Sequence, residues 1–505
     1  MSASGFIKVR RIGEPTAKPA CTAAISIGLL ILSGLAAAGP VYQPPGANLV
    51  LGEVTHGGRV QSVTSNPAAA AAERARRKDK PVRGTAISGA AGLEYGNIQN
   101  LFDYYDSVTG AYKPSDPDEG GGGPSQLPEN KPGGIDLGQI WDNLDPDVQA
   151  AVEAVATEVA TQTALLLAIR EEGYGKAWLA ADAPFVVGSE YLGGAWTFGV
   201  SWYGSTKAFG LATDIQFDKA AAREALEDWF NTSPINRPTL LPVSDHILLT
   251  VEPESNGVLL SIDNDSSIIS KATRTTELNA GYSRPVGAYK SGSLFLGAEA
   301  RLYVKELSRL SVRFGDITDS EELFDAIRDS DFRSDTGVGI DVGALWVGQN
   351  FQLGAQVTNL NEPTFKFPDV NLDPYTDDDV IRFLRSDKKY KADRQLKLEA
   401  SVFNQDRRWS AHLGYDVDPV TDPMGDRFQW LTLSAGFTTD SWWLPSWRIG
   451  YRRNLSGTEL SYVGIGVTAF KFLNIDVSSA LDTTIIDGTK LPQGLMGSIG
   501  FQIAW

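Results

Sequence analysis

The stretch Ser293–Leu307, SLFLGAEARLYVKEL, decides the fold. Leu294, Leu296, Ala298, Ala300, Leu302 and Val304 alternate with Ser293, Phe295, Gly297, Glu299, Arg301, Tyr303 and Lys305. That period of two is the period of a β-strand, with one face apolar and the other carrying three charges. A soluble sandwich would turn the apolar face into a core. A membrane barrel turns it outward to lipid and leaves the charged face to line the lumen.

The same alternation runs from Tyr191 to the end. In AWTFGVSWYG, Trp196, Phe198, Val200 and Trp202 share one face. In the closing GLMGSIGFQIAW, Leu495, Ile499, Phe501, Ile503 and Trp505 share another, with Ser498, Gly500 and Gln502 opposite. Gly497 interrupts that apolar face, and a glycine there is expected to absorb bending where strands close. About fifteen candidate strands of roughly 8–13 residues follow one another between 191 and 505, lengths that suit tilted membrane strands. An even number is expected of a closed barrel. So either one segment is not in the wall, or a weak strand near GTAISGAAGLEYG joins it.

Connections separate the barrel from the sandwich. Read back from Trp505, long and short mostly alternate: 482–493 is long, Lys471–Phe472 short, NLSGT and 439–445 modest, DVDPVTDPMGD long, NQDRR short, 361–391 very long, VGQN short and 306–335 long. Short turns on the periplasmic side and long loops outside produce this pattern. Trp442, Trp443, Trp447 and Tyr451 are expected at one rim, where amphipathic rings favour the interface.

Composition agrees. The 505 residues include 51 Gly, 12 Trp, 16 Tyr and 21 Phe, while the mean hydropathy is −0.16, as when each wall strand is only half apolar. The net charge of −17 makes nucleic acid a poor partner. At the N-terminus, Lys8, Arg10, Arg11 and Lys18 precede an apolar run that ends in Ala36, Ala37 and Ala38. This fits a signal peptide over 1–38, cleaved near Ala38. Cys21 lies before the apolar run, so the exported chain would hold no cysteine, no disulfide and no thiol nucleophile.

The domain reading is therefore 1–38 signal peptide, 39–96 N-terminal plug and possible first strand, 97–190 loop and helical insertion, and 191–505 barrel. Within the insertion, KPSDPDEGGGGPSQLPENKPGG over 113–134 reads as an exposed loop. A helix over 146–172 follows, capped by Asp145 and ended by Gly173, with Val148, Val152, Val155, Val159, Leu166 and Ile169 on one stripe.

Two stretches resemble a known superfamily. SNPAAAAA, Ser65–Ala72, is similar to the Asn-Pro-Ala motif in the plug of FadL-type fatty-acid transporters. TGVGIDVGALWVGQNFQLGAQVTNLNEPTF, Thr336–Phe365, resembles the strand, turn and strand of TraF-type conjugal-transfer proteins, a branch of that superfamily. The thioredoxin-like protein that shares the name TraF does not fit a chain lacking C-x-x-C. The resemblance implies an all-β protein: an antiparallel outer-membrane barrel of about 14 (12 to 16) strands with an N-terminal plug. The helical insertion departs from the fatty-acid transporters.

Chemistry is sparse. No nucleotide-binding, serine-hydrolase, zinc-protease or EF-hand motif is present, so no catalysis, cofactor or metal is expected. His56, His246 and His412 are scattered, and the Ser410–His412 pair should face the lumen rather than lipid. Asp373, Asp377, Asp378 and Asp379 are expected to be a solvated surface, with a cation site the minor alternative. Asn66, Pro67, Glu299, Arg301, Lys305 and Asp341 are the candidate lumen and plug residues, with the basic run Arg74, Arg76, Arg77 and Lys78 available to pair with lumen acids. Phe501, Ile503 and Trp505 look like the signal that barrel-assembly machinery reads. Three functions are open. The first is an outer-membrane component of conjugal transfer, with conjugation proteins as partners. The second is a transporter that passes hydrophobic ligands sideways through a strand defect into the bilayer. The third is a soluble periplasmic or surface β-protein.

Overall fold

The computed structural model describes residues 45–55, 60, 65–76, 83–96, 125–126, 173–189, 193–211, 213, 239–244, 247–252, 257–262, 265–313, 326–327, 329–439, 441–486 and 489–504. The expected signal peptide, the helix over 146–172, almost all of the loop over 113–134, His56, His246, Arg77, Lys78 and Trp505 lie outside these residues.

Fourteen antiparallel strands close into a barrel. In chain order they are β1 (Arg83–Tyr95), β2 (Tyr174–Ser189), β3 (Gly194–Leu211), β4 (Ser267–Tyr289), β5 (Gly292–Arg313), β6 (Phe332–Val347) and β7 (Phe351–Thr358), then β8 (Gln395–Phe403), β9 (Trp409–Asp416), β10 (Trp430–Phe437), β11 (Ser446–Asn454), β12 (Ser461–Ala469), β13 (Leu473–Ala480) and β14 (Gly494–Ala504). Each pairs with the next, and β14 closes on β1 through Gly84↔Ala504 to Glu94↔Gly494. Closure leaves no free sheet edge, the condition for spanning a membrane with strands. No helix among the described residues is long and apolar enough to cross one.

The outer face is apolar along the whole circumference. Leu296 and Leu302 are exposed while Phe295, Glu299, Tyr303 and Lys305 are buried inside. On β14, Leu495, Ile499, Phe501 and Ile503 point out and Met496 and Ser498 point in. Gly497 also faces out, where an added Cβ would meet nothing within 4 Å. Pairing to β1 and β13 runs through it without a register shift, so packing does not demand a glycine at this position.

The wall starts earlier than expected. β1 is the weak strand near GTAISGAAGLEYG, and β2 lies upstream of residue 191, so only twelve of the wall strands come from 191–505. Several apolar segments of that region lie outside the wall. Thr239–Ser244, Ile247–Glu252 and Gly257–Ile262 form a separate sheet that also takes in Ser125–Gln126. The pairs Thr364–Lys366 with Lys389–Lys391, Val420–Thr421 with Arg427–Phe428, and Thr483–Ile486 with Thr489–Pro492 are small two-stranded sheets in the long loops.

The long connections emerge at one end of the barrel and most of the short turns at the other; the exception is 455–460 between β11 and β12, which is short but lies at the long-loop end. The wall is uneven in height: β2–β6 have 16 to 23 residues, whereas β7–β13 have 8 or 9. Trp442 and Trp443 lie in a short-turn-end connection, and Trp447 is near the same end of β11. Tyr451 is further along β11, toward the long-loop end, so it does not share that rim.

Candidate functional site: the plugged lumen

The N-terminal segment crosses the lumen and touches the wall almost all the way round. It contains two short helices, α1 (Asn48–Leu51) and α2 (Ala69–Arg76). Gly46 N–H donates to Ser498 Oγ on β14 at 2.6 Å. Ser434 Oγ on β10 donates to the Leu51 carbonyl at 3.0 Å. Glu53 pairs with Lys397 on β8. Thr55 Oγ1 donates to Glu399 Oε1 at 2.9 Å, and Gln352 on β7 donates to the Thr55 carbonyl. Further on, Ala71 N–H reaches Ser283 Oγ on β4, and Arg74 reaches the Gly194 carbonyl on β3.

Asn66 and Pro67 occupy the middle of this crossing. Asn66 Nδ2 donates to Glu399 Oε1 at 3.2 Å, and Asn66 Oδ1 accepts from Ala68 N–H at 2.9 Å, closing a local turn. The turn lies on two glycines that face each other across β5 and β6, Gly297 and Gly343. A Cβ on Gly343 would meet Pro67 Cδ at 2.8 Å as well as Asn66 Oδ1, and one on Gly297 would meet Ala68 N at 2.7 Å. Glycine is required here because backbone must approach backbone closely. Similar close approaches put Val50 against Gly450 and Val54 against Gly414.

Glu299, Arg301 and Asp341 come together. Arg301 Nη2 lies 2.7 Å from Asp341 Oδ2, Nε 3.0 Å from Glu299 Oε1 and Nη1 3.1 Å from Glu277 Oε1. One guanidinium fork therefore serves three buried carboxylates, a use to which its planar, multi-donor geometry is suited. Lys305 goes elsewhere. Its ammonium donates to Thr275 Oγ1 at 2.8 Å and sits 5.2 to 5.9 Å from the rings of Tyr303, Phe365 and Tyr390, a cation–π arrangement in a desolvated site. Phe501 and Ile503 lie on the outer face, away from all of these.

The run Asn359–Pro363 fastens a long strap, residues 359–394, to the wall. Asn359 N–H donates to Asp341 Oδ1 at 2.8 Å, and Tyr303 O–H donates to Asn359 Oδ1. Asn361 bridges to Ile340 N–H and the Val338 carbonyl, standing in for a missing strand beside β6. The strap then packs on the tall wall: Arg309 donates to the carbonyls of Leu384 and Asp387, and Lys271 pairs with Asp387. Within it, helix α3 (Asp378–Ser386) is capped by Asp377, whose Oδ1 accepts from Asp379 and Val380 N–H. So this acidic stretch starts a helix. Among the described residues no group of three or more His, Cys, Asp or Glu side chains is placed to hold a metal ion.

His412 is inward on β9 between Ser401 Oγ at 2.8 Å and Ser410 Oγ at 3.0 Å. The sequence reading missed Glu277, Glu399, Lys397 and Glu53, and also Lys176 and Lys207 with Asp422 and Asp426. The available signal was the small inward residues Gly297 and Gly343 on neighbouring strands.

Above the plug is a polar cavity of about 90 Å³. Arg301, Gln356 and Lys397 line it from the wall, Glu53 and Ser65 from below, and Tyr390 from the strap.

An apolar outer face, a closed antiparallel wall and a lumen filled by the chain's own N-terminal segment define a plugged outer-membrane-type β-barrel. The chain belongs to the family described as F plasmid transfer operon, TraF, protein, whose model matches residues 63–416. Among solved structures it is similar to a TodX monoaromatic hydrocarbon channel deltaS2S3 mutant, at 10% identity over 91% of this chain and 98% of that one, with a TM-score of 0.39. It is also similar to a triple mutant of Rhodopseudomonas blastica porin, at 9% identity over 83% of this chain and 99% of that one, with a TM-score of 0.23. Neither is close enough to carry a ligand to this chain. Comparison with curated protein sequences gives no match.

Proposed function

We propose that this chain is exported, cleaved near Ala38 and inserted in a Gram-negative outer membrane, where it serves conjugal transfer as a sealed, non-catalytic barrel component. The long loops would then face outward and the short turns the periplasm. Membership of a family described by the transfer operon supports the association with conjugation. The observation that carries the sealed reading is the plug, fixed by Asn66 and Thr55 on Glu399 and by Glu53 on Lys397. A lumen filled with paired charges is a poor route for hydrophobic solutes, because apolar molecules would have to displace hydrogen-bonded ions. Its partners would be lipid on the outer face, barrel-assembly machinery during insertion and other conjugation proteins. Deleting the gene should lower plasmid-transfer frequency and leave uptake of hydrophobic compounds unchanged. Normal transfer with impaired uptake would refute it.

One feature favours transport of hydrophobic small molecules instead. Pairing between β1 and β2 lapses at Ala86–Ile87 opposite Ala183–Pro184, with Thr85 Oγ1 donating to the Pro184 carbonyl at 3.1 Å beside the gap. Proline cannot donate to the ladder, so the wall is locally weak there. A hydrophobic ligand copurifying with the wild type, and lost on closing this gap by Pro184→Val, would favour that reading.

A further inference from the structure

The hairpin over 417–429 joins β9 to β10, yet its tip is fastened to the opposite wall. In a ring of fourteen, β2 and β3 lie seven strands away from β9 and β10. Lys176 on β2 places its ammonium 2.6 Å from Asp422 and 2.8 Å from Asp426, and Lys207 on β3 pairs with Asp426. Lys176 also lies 4.6 Å from the Phe428 ring centre. The tip is shaped for this: Asp426 N–H donates to Asp422 Oδ1, and Gly425 takes a φ of +94°.

The root of the hairpin is held differently. Gln429 donates to the carbonyls of Asp416 and Val417, and Asn454 on the adjacent β11 donates to the Arg427 carbonyl. These bonds join chain neighbours or strands beside β9 and β10. Among the described residues, no backbone hydrogen bond ties the hairpin to β2 or β3. A swing about the root would thus keep the root bonds, and among the described residues what it breaks between the tip and β2–β3 is side-chain contacts.

Those contacts comprise three buried ion pairs beside the apolar packing of Met424 and Phe428, and the ion pairs give the fastening its register. Burying paired ions is offset by a large desolvation cost, so charges that separate into water recover hydration that separated apolar groups do not. Such a fastening is specific in register and still reversible. Beneath it lies the polar cavity, which Val420 of the hairpin and Tyr390 of the strap help enclose, with Glu53 and Ser65 of the plug at its base.

We propose that hairpin 417–429 is a latched lid, closing a polar chamber at the long-loop mouth and opening toward β9–β10 when Lys176 and Lys207 release Asp422 and Asp426. This goes beyond the proposed role in conjugation and does not depend on it.

The test places a reporter in the chamber. Thr358 lines it from β7, and Thr358→Cys on a Cys21→Ser background gives a single thiol. The full-length barrel in detergent is exposed to a bulky, membrane-impermeant maleimide. With the native latch, labelling should be slow, and complete only after denaturation. Lys207→Met, or Asp422→Asn with Asp426→Asn, should speed it tenfold or more while heat-modifiable migration stays intact. Reversing one pair, Lys176→Glu with Asp422→Lys, should slow it again relative to either single change, which general loosening would not do. Equal rates in folded latch variants and the parent would overturn the proposal, as would fast labelling with the native latch. Should the double aspartate variant fail to fold, Lys207→Met alone decides.

Discussion

Arg301→Met should be among the most damaging single changes in the lumen. The guanidinium contacts Glu277, Glu299 and Asp341 within 3.1 Å, and all three carboxylates are buried, Asp341 at 0% exposure. Removing one member of a buried ion pair costs about 3–5 kcal/mol, chiefly because the remaining charge is stranded. Asp341 retains the Asn359 N–H as a donor, so most of the cost falls on Glu277 and Glu299, and a loss of about 4 kcal/mol is expected. Glu299→Gln alone should cost only about 1 kcal/mol, since Arg301 keeps two partners. In the Glu299→Gln background, Arg301→Met strands one carboxylate fewer, so the double variant should be more stable than the sum of single effects by about 1–2 kcal/mol. Equilibrium unfolding in urea with lipid vesicles, followed by tryptophan fluorescence, measures all four corners of the cycle. A cost below about 1 kcal/mol for Arg301→Met, or additivity across the cycle, would refute the reasoning.

Four further outcomes are expected. Gly343→Val should drive the Asn66–Pro67 turn off the wall, costing about 1–3 kcal/mol and exposing the N-terminal segment to protease, whereas Gly497→Val, with no neighbour within 4 Å, should leave protection unchanged. Ile465→Arg, on the outer face at 67% exposure, should cost about 2–4 kcal/mol in lipid, measured by the same unfolding assay. In the strap, the hydrogen bond from Lys391 holds the Glu362 carboxyl below its ordinary value, and that from Lys388 does the same for Asp369. Their contribution is present above the ordinary carboxylate range of about pH 4 and is lost as pH falls through the lowered values, so hydrogen-exchange protection in 359–394, relative to the intrinsic rate at each pH, should fall below about pH 4 before that of the wall strands; a strap as protected at pH 3 as at pH 7 would count against it. Trp505→Ala should reduce outer-membrane levels if the end of β14 guides insertion, and unchanged levels would remove that role.

The wall was legible because its two faces meet different solvents. Leu294 to Val304 alternate cleanly, and Leu495 to Ile503 do so but for Gly497, where one side is apolar and the other packs against a polar lumen. β2 was missed for the opposite reason. Trp178, Ala180 and Val186 are buried on its inner face, so both faces read as apolar and the period of two is blurred. In β1 the outward positions include Gly89 and Ala91, too small to register as an apolar face. Short apolar runs look alike wherever they are packed, so the count of about fifteen strands over 191–505 exceeds the twelve that the wall takes from that region.

The lumen was legible in part, since Glu299, Arg301, Lys305 and Asp341 fall on the inward face by period; which partners meet was not, because its bonds are set by closure. Glu53 and Lys397 are 344 positions apart, and Lys176 and Asp422 are 246. They meet only because fourteen strands bring the ends of the chain together. Ser498 shows the coupling most directly, accepting from Gly46 N–H of the plug and donating to the Gly89 carbonyl across the β14–β1 seam. From that seam the segment continues past β10, β8 and the Gly297–Gly343 seat to β3, so no single bond retains it. Expelling it whole would break the Thr55 and Asn66 bonds to Glu399 and the Glu53–Lys397 pair together, each charge-assisted contact worth about 1.5–3 kcal/mol. Movement confined to one region, such as the hairpin over the mouth, leaves that set intact. Any opening that preserves the fold should therefore begin at the loops, with the plug still seated beneath.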